Sequence, residues 1–194
     1  MSDKFLFFDA FASQPRPAAA QILEPGADEE GRQLRAVLAD AKSTDLSLSA
    51  IRDEVAGRLW MLTPKAFRYF LPAFLNAGLA EYQSLDGFVA ELVTAFTEPL
   101  LDDVHQALGR VAEIPPDMSL SPEIFALLKQ QQVEWYELGG PQARFASWTE
   151  GLSASEGAAI LAFLVAIRDG HDEDFPFGEP QIAIDRYWAR FLKS

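Results

Sequence analysis

The sequence predicts an all-α protein, a single-domain irregular multi-helix bundle with a buried pair of helices at the C-terminal end. Apolar residues recur at intervals of three and four along most of the chain, and no stretch shows the sustained alternation of a half-buried strand. Helix starts recur as well, as hydroxyl residues placed before a proline or three residues before a glutamate. The 194 residues are 49% hydrophobic, which suffices for a sizeable core. We expect one helical domain over residues 1–194.

The N-terminal part, residues 1–27, is predicted to form a helix and a Pro-rich loop that pack on this domain. Phe5, Phe8 and Phe11 lie at helical spacing. Residues 4–12 are therefore interpreted as a short docking helix, with a buried strand as the alternative. Prolines and a glycine then interrupt regular structure, and a second apolar stripe predicts a helix over residues 28–42.

The central stretch is predicted to be the helix around which the core is built. Thr63 is a suitable N-cap, and Pro64 fits the first helical position, where its missing N–H costs nothing. Phe67, Phe70 and Phe74 then fall on one face, because three- and four-residue steps return to the same side of a helix. We expect that face to be buried.

Pro72 lies inside this predicted helix, where it removes the hydrogen bond to the carbonyl oxygen of Arg68. The helix is therefore expected either to kink there or to end and restart. A kink that fits the helix to a curved core is the favoured interpretation. The alternative is a pocket at the break, with Arg68 and Tyr69 as its polar groups.

The segment Leu62–Leu75, which reads L-T-P-K-A-F-R-Y-F-L-P-A-F-L, resembles the signature of a widespread bacterial family of uncharacterised standalone proteins. That signature is close to L-T-P-E-A-F-R-Y-Y-L-P-A-F, so Lys65 replaces an acid and Phe70 replaces a tyrosine. The closing part, with its apolar run and Tyr187-Trp188, is similar too. The family carries a domain-of-unknown-function label without established catalytic residues, so the resemblance implies no mechanism.

The remaining helices are predicted from their start signals and apolar stripes. Ser153 and Glu156 have capping-box spacing, and the run that follows is apolar on all sides, as in a central helix. Other starts are expected at Ser49, Asp86, Pro122 and Pro180, and Pro99 is expected either to end the helix from Asp86 or to begin another. The helix from Pro122 is predicted to carry Phe125, Leu128 and Trp135, and the last helix is predicted to place Ile184, Tyr187, Trp188, Phe191 and Leu192 on one face.

The charge balance limits the classes of partner. There are 16 basic and 29 acidic residues, a net charge of −13, which opposes binding to nucleic acid and could attract a basic protein. Cysteine is absent, which excludes disulfides and thiolate sites. The longest apolar run is far shorter than the roughly 18 residues that span a membrane. No signal peptide is recognised, so we expect a cytoplasmic protein without a membrane partner.

Recognisable catalytic motifs are absent, which favours a non-enzymatic role, and no catalytic, cofactor-binding or metal-binding residue is predicted. The best constellation is Glu98, Asp102 and His105, which one continuous helix would place on one side. A metal site in a bundle needs ligands from further helices, so a solvated face is the preferred interpretation. His171, in an acidic connector, is interpreted in the same way.

Three functions remain open from the sequence. The leading hypothesis is an acidic protein-interaction domain, of the kind used by immunity or accessory factors that neutralise a basic partner. The first alternative is a small-molecule-binding or enzymatic domain with a pocket at the Pro72 break. The second alternative is a self-associating structural protein, suggested by the aromatic residues near the termini.

Overall fold

The computed structural model describes residues 6–26, 29–110 and 121–192. Of these residues 77% are helical, and the described residues contain no β-strand. Leu23 and Leu62 form an isolated antiparallel bridge. The all-α prediction is confirmed. The described chain divides into two compact units, Met1–Thr97 with Trp148–Ser194, and Glu98–Ser147. The expected single domain over residues 1–194 stays a prediction.

The first unit contains the long helices that carry the core. Short turns of 3₁₀-helix at Ala19–Gln21, Ser43–Asp45 and Leu59–Met61 connect its N-terminal helices, and a π-helical turn at Ile51–Val55 follows α3 directly. Its α-helices are α1 (Leu6–Ala10), α2 (Glu29–Asp40), α3 (Leu48–Ala50), α4 (Pro64–Ala80), α5 (Tyr82–Phe96), α9 (Ala154–His171) and α10 (Glu179–Arg186).

The second unit contains α6 (Leu101–Arg110), α7 (Pro122–Glu137) and most of α8 (Gly140–Thr149). Helices α6 and α7 pack against each other. The segment that follows α6, residues 111–120, lies outside the described residues.

Helix α4 begins as the sequence predicts. The Thr63 hydroxyl accepts the backbone N–H of Ala66 at 3.2 Å, and Pro64 occupies the first turn. Phe67, Phe70 and Phe74 are at most 2% exposed, so the stripe is part of the core, as expected. The helix does not end at Pro72 and restart, since α4 is one helix with Pro72 inside it.

Helix α9 is the second core helix. The Ser153 hydroxyl accepts the N–H of Glu156 at 3.2 Å, and the Glu156 carboxylate accepts the N–H of Ser153 at 2.7 Å, which confirms the capping box. The apolar run of α9 was predicted to be buried on all sides, and this is wrong at Ala162, which is exposed. Helix α9 contacts α1, α4 and α10. Its large buried side chains are Ile160, Leu161, Phe163, Leu164 and Ile167.

The C-terminal segment differs from the single amphipathic helix that was predicted. Helix α10 ends at Arg186, Tyr187 has non-helical dihedral angles, and a 3₁₀ turn follows at Trp188–Phe191. This change of backbone breaks the predicted common face. Trp188 is fully buried while Leu192 is 67% exposed. The 3₁₀ turn still packs on α9 and α10, which completes the buried C-terminal helix pair.

The other predicted starts agree with the structure to different degrees. Helix α3 is capped by Ser47, whose hydroxyl accepts the N–H of Ala50, and not by Ser49. Helix α5 includes a first turn from Tyr82, but it breaks at Leu85, whose dihedral angles are non-helical, and its longer part begins at Asp86, the predicted start. At the N-terminus, α1 covers Leu6–Ala10 of the predicted residues 4–12, and residues 4 and 5 lie outside the described part. Local capping chemistry therefore locates a start only to within about one helical turn.

Candidate functional site

Arg68 and Tyr69, the polar pair expected at the Pro72 break, contribute to the packing of the first unit. The Arg68 Nε donates a hydrogen bond to the carbonyl oxygen of Trp148 at 3.2 Å. The Tyr69 ring packs edge-on against Phe70, with 4.9 Å between ring centroids. Both side chains are half-buried. The Arg68 hydrogen bond joins α4 to Trp148, where the C-terminal part of the unit begins.

Glu98, Asp102 and His105 belong to the second unit. Asp102 and His105 are exposed on α6, and Glu98 is half-buried in the segment before that helix. Across the described part of the chain, no three histidine, aspartate or glutamate side chains are grouped closely enough to hold a metal ion. The structure therefore does not bring these three residues together as a ligand set.

His171 packs in the first unit, where its ring stacks on Tyr82 with 3.4 Å between centroids. The Tyr82 hydroxyl donates to Asp174 at 2.9 Å, and the same carboxylate oxygen lies 4.0 Å from His171 Nδ1. Burial, followed by the hydrogen bond to Asp174, raises the pKa of Tyr82. The phenol therefore stays protonated and acts as a donor that fixes the connector after α9.

Helix α7 carries the largest group of exposed apolar side chains on the described residues. None of its residues is buried. With about 100° of rotation per residue, the exposed apolar side chains fall within a strip about 100° wide. Their exposed fractions run from 41% for Trp135 to 86% for the residue just after the helix. We call this set the α7 stripe, and it consists of Ile124, Leu127, Leu128, Trp135 and Leu138.

A second row of side chains on α7 is half-buried and holds the helix on α6. The Lys129 ammonium lies 4.7 Å from the Phe125 ring centroid and donates to the carbonyl oxygen of Leu108 at 3.1 Å. Burial, with a smaller contribution from the charge of Asp103, raises the pKa of Tyr136. One face of α7 therefore packs against α6, and the α7 stripe lies on the opposite face of the helix.

One edge of the α7 stripe is acidic. Glu123, Glu134 and Glu137 follow that edge along the helix. The backbone N–H of Glu123 itself and then the Ser121 hydroxyl hold the pKa of the Glu123 carboxyl below its ordinary range, so this carboxylate is ionised at neutral pH. The lysine of α7 lies on the other side of the helix, where it is tied to α6. The stripe is therefore bordered by negative charge along this edge, and the exposed Gln131 lies within it between Leu128 and Trp135.

The sequence interpretation placed Phe125, Leu128 and Trp135 together and did not single out Ile124 or Leu127. The structure separates these residues, since Phe125 is half-buried while Leu128 and Trp135 are exposed. The signal that could have shown this is the consecutive apolar pair Ile124-Phe125. Its two side chains point about 100° apart around the helix axis, so the apolar residues of this helix extend beyond one face.

Comparisons of the chain with protein-family models, with curated proteins and with solved structures gave no significant match. Among the described helices, no single one has both the length and the apolar composition to cross a membrane. The segments Gly140–Thr149 and Ala154–Asp174 meet that test only when they are taken together across a sharp bend.

Proposed function

We propose that this protein is a non-enzymatic protein-interaction domain, and that the α7 stripe is the surface on which its partner docks. The observation that carries the proposal is the exposure of Ile124, Leu127 and Leu128, each close to half exposed on consecutive turns of one helix face. Scattered exposed apolar residues are ordinary on protein surfaces. A cluster of exposed apolar side chains with a polar border is typical of an interaction site.

The chemistry of the stripe supports a partner segment that is both apolar and basic. An amphipathic helix matches a narrow apolar strip, because its own apolar residues recur on one face. Lysine or arginine beside that face would lie next to the acidic edge formed by Glu123, Glu134 and Glu137. The net charge of −13 would also speed the approach of such a partner. An immunity or accessory factor that neutralises a basic protein fits this description.

The charges favour a different protein over a second copy of the same chain. Two copies that met through the α7 stripe would bring together two chains that each carry a net charge of −13. Like charges at an interface oppose association, and they do so most strongly at low salt. The same negative charges would attract a basic partner.

The test uses a labelled amphipathic helical peptide built from leucine and lysine, with its binding followed by fluorescence anisotropy. We expect saturable binding to the full-length protein that weakens as salt is raised. The double variant Leu127→Gln, Leu128→Gln should weaken binding about tenfold or more, since it removes the centre of the apolar strip. The matched control is Phe177→Gln, which removes an apolar side chain that is 56% exposed in the other unit.

Three outcomes would contradict the proposal. Equal binding by the double variant and the Phe177→Gln control would show that the α7 stripe is not the docking surface. Equal binding of a peptide with glutamate in place of lysine would show that the acidic edge does not contribute to recognition. A dimer in sedimentation experiments that dissociates in the double variant would assign the stripe to self-association instead.

A further inference from the structure

A cavity of about 530 Å³ lies in the first unit, on the part of α4 that follows Pro72. Phe7 and Phe8 of α1 form one side. The α4 side is lined by Ala73, Ala77 and Ala80, whose spacing puts three methyl groups in a row. The space exists because these side chains are small. Its volume lies within the range of about 300–1,000 Å³ that is common for small-molecule sites.

One part of the cavity wall is polar, and it includes a hydroxyl without a partner. Ser43 is only 7% exposed and lines the cavity, and its Oγ has no hydrogen-bond partner in the structure. Buried hydroxyls are normally paired, so an unpaired one indicates a missing partner. Asn76 lines the cavity as well and donates its Nδ2 to the carbonyl oxygen of Pro72 at 2.6 Å. That bond leaves the amide oxygen as an acceptor.

No charged side chain is among the described residues that line the cavity. Lys42 and Asp45 bracket the turn that carries Ser43, so their opposite charges largely offset each other there. The Asp45 carboxylate also accepts a hydrogen bond from the Thr44 hydroxyl at 2.9 Å. An ionised ligand group buried here would lack a counter-ion, which is unfavourable.

From this geometry we infer that the cavity binds a neutral, mainly apolar small molecule that carries one hydrogen-bonding group. The apolar body lies against the α1 phenylalanines and the α4 alanines, and the polar group pairs with Ser43 and Asn76. This site is in a different unit from the α7 stripe and does not depend on the proposed interaction function. The cavity lies beside Pro72, but its polar groups are Ser43 and Asn76 and not Arg68 or Tyr69.

The first experiment measures binding of the neutral fluorescent probe N-phenyl-1-naphthylamine to the full-length protein. Saturable binding to one site is expected. Ala77→Leu fills the cavity and should weaken binding about tenfold or more, because added side-chain atoms would overlap the probe. Ala90→Leu, at an exposed position of α5, is the matched control and should leave binding unchanged. Circular dichroism confirms folding, and Ala80→Leu at the exposed edge of the cavity serves if Ala77→Leu does not fold.

The second experiment measures which ligand class displaces the probe. 1-Decanol should displace it at lower concentration than decanoate or decylamine, since the lining has no charge for either ion. Ser43→Ala should weaken displacement by 1-decanol about three- to tenfold, because it removes one hydrogen-bonding partner.

The inference is overturned if the wild-type protein shows no saturable binding, or if Ala77→Leu binds as well as Ala90→Leu. It is also overturned if the double variant Leu127→Gln, Leu128→Gln abolishes probe binding, because the probe would then report the α7 stripe. Preference for decanoate or decylamine over 1-decanol would contradict the neutral ligand class. Unchanged displacement by 1-decanol in Ser43→Ala would show that Ser43 does not hydrogen-bond to the ligand.

Discussion

The indole N–H of Trp188 donates a hydrogen bond to the backbone carbonyl oxygen of Phe96 at 2.6 Å. Phe96 is the last residue of α5, where carbonyl groups lack a partner within the helix. The two rings also meet edge-on, with 5.6 Å between centroids. One fully buried side chain thus caps α5 and fixes the C-terminal 3₁₀ turn. The contact is made by the first residue of that turn, directly after the chain leaves the helical path at Tyr187.

Replacing Trp188 with phenylalanine should lower the free energy of unfolding. The substitution removes the donor and part of the buried ring, and it leaves the Phe96 carbonyl oxygen without its partner. We expect a loss of about 1–3 kcal/mol from the unpaired group, measured by urea denaturation. Trp60→Phe is the matched control, because Trp60 is 54% exposed, and should change stability by less than about 0.5 kcal/mol. Equal midpoints for the two variants would show that the indole bond does not contribute to stability.

Glu91 holds the turn that leads into α4. Its two carboxylate oxygens accept the backbone N–H groups of Gly57 at 2.7 Å and Leu59 at 3.0 Å. Burial raises the pKa of Glu91 above its ordinary value of 4.5, and the two N–H groups only partly oppose this effect. Glu91→Ala should destabilise the protein by about 1–3 kcal/mol, because both N–H groups lose their acceptor.

The raised pKa of Glu91 also predicts the sign of a pH dependence. The folded state binds the proton more tightly than the unfolded state, so ionisation of Glu91 weakens folding. Its contribution to stability should therefore rise as the pH is lowered from neutrality through the folded-state pKa towards 4.5. Relative to Glu91→Gln, which cannot ionise, the wild-type protein should gain stability over that interval. A carboxyl titration of Glu91 by NMR with a midpoint below 4.5 would contradict this sign.

Local chemistry made some features of this fold predictable. The hydroxyl caps at Thr63 and Ser153 depend on residues within one turn, so their spacing in the sequence is sufficient to find them. The burial of Phe67, Phe70 and Phe74 follows in the same way, because their three- and four-residue spacing places them on one apolar face of the helix. These features need no knowledge of distant contacts.

Contacts between distant segments were not predictable. The acceptor for the Gly57 N–H is Glu91, and the acceptor for the Trp188 indole is Phe96, each far away along the chain. Nothing in the local pattern marks these pairs. The exposure of the α7 stripe was missed for a related reason. Apolar residues on a helix show where a surface can pack, but whether a neighbour covers it depends on the tertiary arrangement.

The position of the cavity beside α4 was not predictable from the sequence either. From the sequence, a packing kink at Pro72 was the favoured interpretation, and a pocket at the break with Arg68 and Tyr69 as its polar groups was the alternative. The cavity instead follows Pro72 along α4 and is lined on its other sides by Phe7, Phe8 and the Ser43 turn. Arg68 and Tyr69 were chosen from the sequence because they are polar, but both contribute to packing. The cavity is formed where α4 carries small alanine side chains. Absent side-chain volume is difficult to recognise in a sequence.

The central position of α4 can be tested by comparing Phe70→Ala with Arg68→Ala. Phe70 is fully buried and contacts the rings of Tyr69 and Phe74. Its truncation should leave a cavity and lower the free energy of unfolding by about 3–5 kcal/mol. Arg68 is half-buried, and losing its hydrogen bond to Trp148 should cost about 0.5–1.5 kcal/mol. Urea denaturation measures both changes, and N-phenyl-1-naphthylamine binding should be unchanged in Arg68→Ala, because Arg68 is not among the cavity-lining residues. An unchanged denaturation midpoint for Phe70→Ala would mean that this face of α4 is not packed in the core, and the arrangement of α5 and α9 around it would then be wrong.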